Sequence, residues 1–208
     1  MKKAAAAFLL LVISSQVYAQ SVHADSSKIR ALKFDFFSPI NGCLGLSLET
    51  VKTKVISIDI DAGFIGMNLG DYYYYDNFAG AYGGAGFRFY FSSEYKKNRN
   101  YSIFEGVYIK PSLSLSYYQY KKEQIGLPDI TGKDFSISQF VIFGTQATAF
   151  DFLVFDFWFG LGYGKNWISE KNPNSEFTYN DGFHDFGHVQ PGDSPMLFDA
   201  GFCLGYVF

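Results

Sequence analysis

The last twelve residues, LFDAGFCLGYVF at 197–208, decide the fold of this chain. Large apolar side chains recur there with a period of two, at Phe198, Phe202, Leu204, Tyr206 and Phe208. The positions between them hold small or polar residues, namely Asp199, Gly201, Cys203 and Gly205. This period is typical of a strand with one apolar and one polar face. Because chain ends usually fray in water, an apolar last residue indicates that the apolar face is covered along its whole length.

The composition favours strands over helices and excludes one class of partner. Aromatic residues make up 20% of the 208 residues, with 24 Phe, 16 Tyr and 21 Gly, a composition that suits strands and one domain. The net charge is −3, and the strongest basic cluster is YKKNR at 95–99. We therefore expect no nucleic-acid partner.

The first residues have the pattern of a secretory signal peptide. Lys2 and Lys3 precede an apolar run over 4–13, which is followed by SSQVYAQ. Val17 and Ala19 are the small residues before the expected cut, so we predict a signal peptide at 1–19 and a mature domain at 20–208. The apolar run is shorter than the roughly 20 residues of a membrane-spanning helix, which disfavours the alternative of a retained anchor.

Two cysteines, Cys43 and Cys203, are the only ones in the chain. Export permits a disulfide, but two cysteines do not define a framework. We expect free thiols, because the strand pattern places the two residues at different heights. A bridge is the alternative.

Alternating segments separated by turns or polar loops recur along the mature chain. We predict eight strands, at 29–37, 43–51, 55–67, 79–92, 104–120, 135–146, 151–164 and 197–208. Their short connections predict antiparallel pairing. Pro111 deletes a ladder hydrogen bond, which predicts a bulge there, and the faces of the segment at 135–146 are not defined by its pattern.

Alternation alone does not tell which face points into a barrel. A soluble carrier barrel encloses an apolar interior, whereas a membrane barrel has an apolar exterior and a polar lumen. The polar faces here are rich in Gly and Ser, as a narrow lumen requires, and the connections alternate in length. Tyrosines gather at strand ends, where an aromatic girdle would lie, at Tyr72 to Tyr75, Tyr117, Tyr118, Tyr120 and Tyr163. These features favour an eight-stranded antiparallel up-and-down transmembrane β-barrel, whose last strand must pair with the first because an open edge in lipid is costly.

Several of these stretches also resemble known proteins. The alternating end of the chain resembles the assembly signal of bacterial outer-membrane proteins, and it matches position by position at Phe202, Leu204, Tyr206 and Phe208. The mature chain is similar in layout to small eight-stranded OmpA-type or OmpX-type barrels. The segments GFRFYF (86–91), GVYIKPSLSLSYY (106–118) and FDFWFGLGYG (155–164) are similar to an uncharacterised group of outer-membrane barrels without an assigned activity. The resemblance implies an outer-membrane location, contact with lipid and contact with the assembly machinery through the last strand.

The polar faces carry a set of charged residues that we expect inside the barrel. They are Lys33, Asp35, Glu49, Asp59, Asp61, Arg88, Lys110, Asp156 and Asp199. We interpret them as an ion-pair network that plugs the lumen, because buried charges must be paired and small barrels are filled by side chains. The alternative is a narrow path for cations, since acids outnumber bases.

The long loop predicted at 165–195 is the expected contact surface, because exposed loops carry function in such scaffolds. Within it, His184 and His188 are weak candidates for a metal site, since their spacing has no helical context. A lipid-modifying enzyme would need a serine near a base, and no strand offers a Ser–His pair. We therefore predict a non-enzymatic outer-membrane barrel without a cofactor, with a structural or surface-interaction role and an extracellular ligand that the sequence does not identify.

Overall fold

A computed structural model of the protein describes residues 29–36, 42–53, 55–66, 77–91, 104–122, 129–150, 152–171 and 196–208. Eight strands form within these ranges: β1 (Arg30–Asp35), β2 (Cys43–Val51), β3 (Ile56–Ile65), β4 (Asn77–Tyr90), β5 (Gly106–Lys122), β6 (Ile130–Ala149), β7 (Leu153–Lys171) and β8 (Met196–Val207). The predicted signal peptide at 1–19 lies outside the described residues.

The strands form one closed barrel in sequence order, and every neighbouring pair is antiparallel. β8 closes the barrel against β1, as the alternating C-terminal stretch predicts. The predicted all-β fold with eight antiparallel strands is therefore confirmed. We call the end where Arg30 and Phe208 exchange backbone hydrogen bonds the terminal end, and the opposite end the loop end.

The register fixes how far the strands tilt. Successive hydrogen-bonded partners lead from Leu32 through β2 to β7 and arrive at Met196, whereas Leu32 itself pairs with Tyr206. The strands are thus staggered by the ten positions that separate Met196 from Tyr206. With ordinary strand spacings this stagger corresponds to a tilt of about 40° and an interior only wide enough for side chains.

The apolar face of every strand points outward and the polar face points inward. Exposed large apolar side chains occur on all eight strands, including Leu32, Leu46, Ile60, Phe87, Leu113, Val141, Phe159 and Phe198. The alternation is also regular in β6, where Ser136, Ser138 and Phe140 are buried while Phe135 and Val141 are exposed. The structure thus defines the faces of the segment whose pattern was ambiguous.

Interior glycines make room for aromatic rings that lie flat across the neighbouring strand. The ring of Tyr108 covers Gly144, and the indole of Trp158 covers Gly201. A Cβ atom added at either glycine would overlap the ring. The glycine-rich polar faces therefore reflect the limited space of the lumen.

Apolar clusters close the interior at both ends. At the terminal end, Phe104 is 1% exposed and packs with Ala31, Val154 and Val207. Toward the loop end, the second cluster consists of Cys43, Ile65, Phe78, Tyr118 and Tyr120. The charged side chains described below lie between these two clusters along the strands.

Three predictions about individual elements are wrong. Pro111 makes no bulge. On the β6 side it pairs with Val141. On the β4 side two pairs of the ladder are missing, but the register is the same before and after the gap, with Gly86 opposite Ser112 and Phe89 opposite Ile109. β7 continues to Lys171, so the first part of the loop predicted at 165–195 is strand, because its residues pair with the extended β6.

The third concerns the tyrosines assigned to an outer girdle. Tyr118 and Tyr120 are buried inside the barrel, because they occupy the inward positions of β5, whereas Tyr117 and Tyr163 are exposed. The tyrosines at 72–75 lie outside the described residues.

Both cysteines are buried, and no disulfide joins them. Among the described residues, no helix has the length and apolar character needed to cross a membrane.

Candidate functional site

A charged network fills the middle of the barrel. Its cations are Lys33 on β1, Arg88 on β4 and Lys110 on β5, and its carboxylates are Glu49 on β2, Asp59 on β3 and Asp156 on β7. Each of these residues is at most 9% exposed. All six occupy inward positions of their strands, so the two-residue period of the sequence places them in the same interior.

Lys33 joins two carboxylates from opposite parts of the sequence. Its Nζ atom lies 2.9 Å from Oε2 of Glu49 and 3.0 Å from Oδ2 of Asp156. It also donates to Oε1 of Gln146 at 3.4 Å. These contacts tie β1 to β2, β6 and β7.

Arg88 bridges Asp59 and Asp156, the second of which it shares with Lys33. Its Nη2 atom lies 2.6 Å from Oδ2 of Asp59, and its Nη1 atom lies 2.6 Å from Oδ2 of Asp156. The guanidinium also stacks 4.3 Å from the ring centroid of Tyr108. Lys110 completes this side of the network, with its Nζ atom 2.9 Å from the same oxygen of Asp59.

Uncharged side chains satisfy the remaining oxygens of Glu49 and Asp156, whereas Oδ1 of Asp59 has no hydrogen-bond partner among the described residues and lies 3.8 Å from Nζ of Lys33. Tyr90 and Ser57 both donate to Oε1 of Glu49, at 2.6 Å and 2.5 Å. Tyr108 donates to Oδ1 of Asp156 at 2.8 Å. Buried charges are tolerated when they are paired and their oxygens accept hydrogen bonds, and both conditions are met at Glu49 and Asp156.

The network is neutral as a set, since three cations face three carboxylates. A neutral, hydrogen-bonded layer of this kind fills space and rigidifies the barrel. Within the described residues there is no group of His, Cys, Asp or Glu side chains arranged to hold a metal ion.

Nine charged residues were predicted to face the lumen, and in the structure six of them lie together while three lie elsewhere in the barrel. Six form the network described above. Asp199 faces the interior nearer the loop end and accepts a hydrogen bond from Nε1 of Trp158 at 3.1 Å. Asp61 lies against Gly84 of the neighbouring strand, and Asp35 is opposite Cys203 on β8.

The residues of the predicted assembly signal share the outward face of β8. Phe202 packs against Phe157 with ring centroids 4.6 Å apart and against Phe36 at 5.7 Å. Tyr206 and Phe208 are 56% and 50% exposed, and Leu204 shares their face. The candidate metal ligands His184 and His188 lie outside the described residues.

Sequence reasoning did not assign roles to several side chains of the interior. Ser57, Tyr90 and Tyr108 each lie two residues from a predicted lumenal charge, so the period of two places them on the same face. Gln146 was missed because the faces of its segment were undefined. Asp134 lies just before the strand predicted at 135–146, but in the structure it is an inward residue of β6 that accepts hydrogen bonds from Tyr118 at 3.0 Å and Asn166 at 3.2 Å.

No family model, no curated protein and no solved structure matches this chain.

Proposed function

We propose that the protein is an integral barrel of the bacterial outer membrane that is not an enzyme. In this proposal its lumen is plugged by the charged network, and its role is structural or depends on contacts made by the loop end, including residues 172–195. The terminal end faces the periplasm, and the last strand carries the contact with the assembly machinery.

One observation carries the proposal: large apolar side chains are exposed on all eight strands, and the charged network lies inside. The exposed fractions reach 53% at Ile60 and Phe87 and 60% at Phe159. Soluble monomers rarely expose contiguous apolar patches larger than a few hundred Å². A belt of apolar side chains around a closed barrel is instead the surface that lipid covers.

The same observation disfavours a soluble carrier. Such a barrel needs an apolar interior that holds its ligand. The middle of this interior holds the paired charges of Lys33, Arg88 and Asp156, and aromatic side chains fill the space toward the loop end. An apolar ligand would have to displace both.

The direct test is the mobility of the detergent-extracted membrane fraction in gels, with and without boiling. We expect the unboiled protein to migrate faster, because a closed barrel resists denaturation by the detergent, and to shift on boiling. Recovery of the wild-type protein in the soluble fraction, without a shift, would show that the apolar face is not covered by lipid.

A pair of variants on one face of one strand makes this test specific. Leu113 and Gln119 both point outward from β5, but only Leu113 lies within the apolar belt. In a bilayer we expect Leu113→Arg to lower the free energy of unfolding by about 2–4 kcal/mol, and Gln119→Arg to change it little. Equal, small effects of the two substitutions would contradict the proposal, since an arginine is tolerated on a face that contacts water.

A further inference from the structure

The outer surface of β5, β6 and β7 has a distinct composition where the apolar belt ends. Tyr117, Phe135 and Trp167 lie opposite one another across the three strands. Their exposed fractions are 42%, 42% and 49%, and the rings of Phe135 and Trp167 stack 5.6 Å apart. This row of aromatic side chains is the last apolar row before the loop end.

The next row toward the loop end is polar. Its outward positions are Gln119, Lys133 and Ser169, which are paired across the same three strands. The row on the other side of the aromatic residues contains Lys165, opposite Ile137. Two lysines thus flank the aromatic row, one on each side, and we call these five residues the basic–aromatic rim: Tyr117, Lys133, Phe135, Lys165 and Trp167.

Lys165 does not point away from the aromatic row. Its Nζ atom lies 5.2 Å from the ring centroid of Trp167, within the range of a cation–π contact. A lysine at the border of an apolar surface extends its stem along that surface and holds its ammonium group at the polar side. The contact therefore keeps this ammonium group at the level of the indole.

The charge of the rim has no acidic counterpart among the described residues. No carboxylate whose side chain the structure describes lies within salt-bridge distance of Lys133 or Lys165. By contrast, Lys121 on the same surface lies 2.8 Å from Asp129. A partner for the rim must therefore bring negative charge, and it must reach the border of the apolar belt to do so.

We propose that the basic–aromatic rim binds the phosphate groups of anionic lipids. This inference rests on the proposed membrane location, because only there does the border of the belt coincide with lipid headgroups. The aromatic row contacts the upper part of the acyl chains, and the ammonium groups of Lys133 and Lys165 pair with phosphates. Since the two lysines attach on either side of the aromatic row, a headgroup with two phosphates, or two neighbouring lipids, fits the rim.

Tryptophan fluorescence provides the test, because the protein has two Trp residues and one of them is shielded from lipid. Trp158 faces the interior, where it donates to Asp199, whereas Trp167 belongs to the rim. The protein is folded into phosphatidylcholine vesicles that contain either brominated phosphatidylglycerol or, at the same fraction, brominated phosphatidylcholine. Stronger quenching by the anionic lipid reports its enrichment beside Trp167.

We expect wild-type protein to enrich the anionic lipid and the double variant Lys133→Gln/Lys165→Gln to lose about 25-fold in that preference, since each of the two lysines near an anionic surface contributes roughly a fivefold effect. Lys52→Gln is the matched control, because Lys52 is an exposed lysine in the turn at the terminal end. It should leave the preference at Trp167 unchanged.

Three other outcomes would contradict, in turn, the selectivity of the rim, the lipid as its ligand and the membrane location. Equal quenching by both lipids in the wild type, or an enrichment that persists in the double variant, shows that the rim does not select phosphate lipids. Loss of the preference on addition of inorganic phosphate, but not of chloride at equal ionic strength, assigns the rim to a free anion instead. No quenching by either lipid, with no gel shift on boiling, refutes the membrane location itself.

Discussion

Asp156 accepts hydrogen bonds from three side chains on three other strands: Lys33, Arg88 and Tyr108. It is fully buried. Asp156→Asn removes one negative charge and leaves the three cations of the network with two carboxylates, Glu49 and Asp59, so one buried positive charge is uncompensated. We expect the free energy of unfolding to fall by about 3–5 kcal/mol, because breaking a buried pair exposes the cost of desolvating the remaining charge. Urea unfolding followed by tryptophan fluorescence measures the change.

Asp129→Asn is the control at the same scale. Asp129 also pairs with a lysine, Lys121, but both side chains are 40% exposed. An exposed pair contributes less than about 1 kcal/mol, so this variant should unfold nearly as the wild type does. If the two substitutions cost the same, the buried network does not stabilise the barrel in the way that its contacts indicate.

At the scale of the element, β1 is held by the two shortest ladders of the barrel, with five pairs to β2 and five pairs to β8 at the closing seam. β1 pairs with β8 only from Ala31 to Asp35, whereas β6 pairs with β7 from Thr131 to Ala149. Local opening requires less free energy where fewer neighbouring bonds hold a strand. We expect the backbone amides of β1 to exchange with deuterium faster than those of the central part of β6, in the folded protein in micelles.

The exchange rates of β1 and β6 must be compared at positions that the detergent micelle covers equally. Phe34 on β1 and Phe143 on β6 are both outward residues of the apolar belt, which makes peptides around them suitable. Slower or equal exchange at Phe34 would mean that contacts other than the backbone hydrogen bonds stabilise the seam. The stacking of Phe202 against Phe36 and Phe157 is the first such contact to test.

At the scale of the whole molecule, the interior decides whether ions pass. The apolar cluster around Phe104, the charged network and the aromatic cluster around Tyr118 follow one another between the terminal and loop ends. A lumen filled by side chains has no continuous path for water. We therefore expect no steady current from the protein in a planar bilayer at a moderate voltage.

A steady current would contradict the plugged lumen and support the alternative of a narrow cation path. Asp59→Asn combined with Asp61→Asn then distinguishes a current through the lumen from leakage around the protein. The double substitution should weaken cation preference only if ions pass these two side chains, which face the interior of β3.

The sequence was a reliable guide to the faces of most strands and a poor one to their boundaries, and it misplaced Tyr118 and Tyr120, which face inward. The period of two in LFDAGFCLGYVF and in the other strands predicted the closed, eight-stranded antiparallel sheet. It also separated Lys33, Glu49, Asp59, Arg88, Lys110 and Asp156 from the apolar side chains. The ends of β6 and β7 were not predictable, since strands that continue beyond the apolar belt contain polar residues such as Lys133 and Asn166 that are equally common in loops.

By itself, then, the sequence determined which side chains share a face, because alternation is a local property of an extended chain. Only the tertiary structure decided which of them meet. Lys33 reaches Asp156, 123 residues away, and Arg88 reaches Gln146, 58 residues away. These partners depend on the ten-position stagger and on how the closed sheet brings distant strands across one narrow lumen. The spacing of residues along the chain does not show which side chains meet across the lumen. The strand number and stagger of the closed barrel determine it.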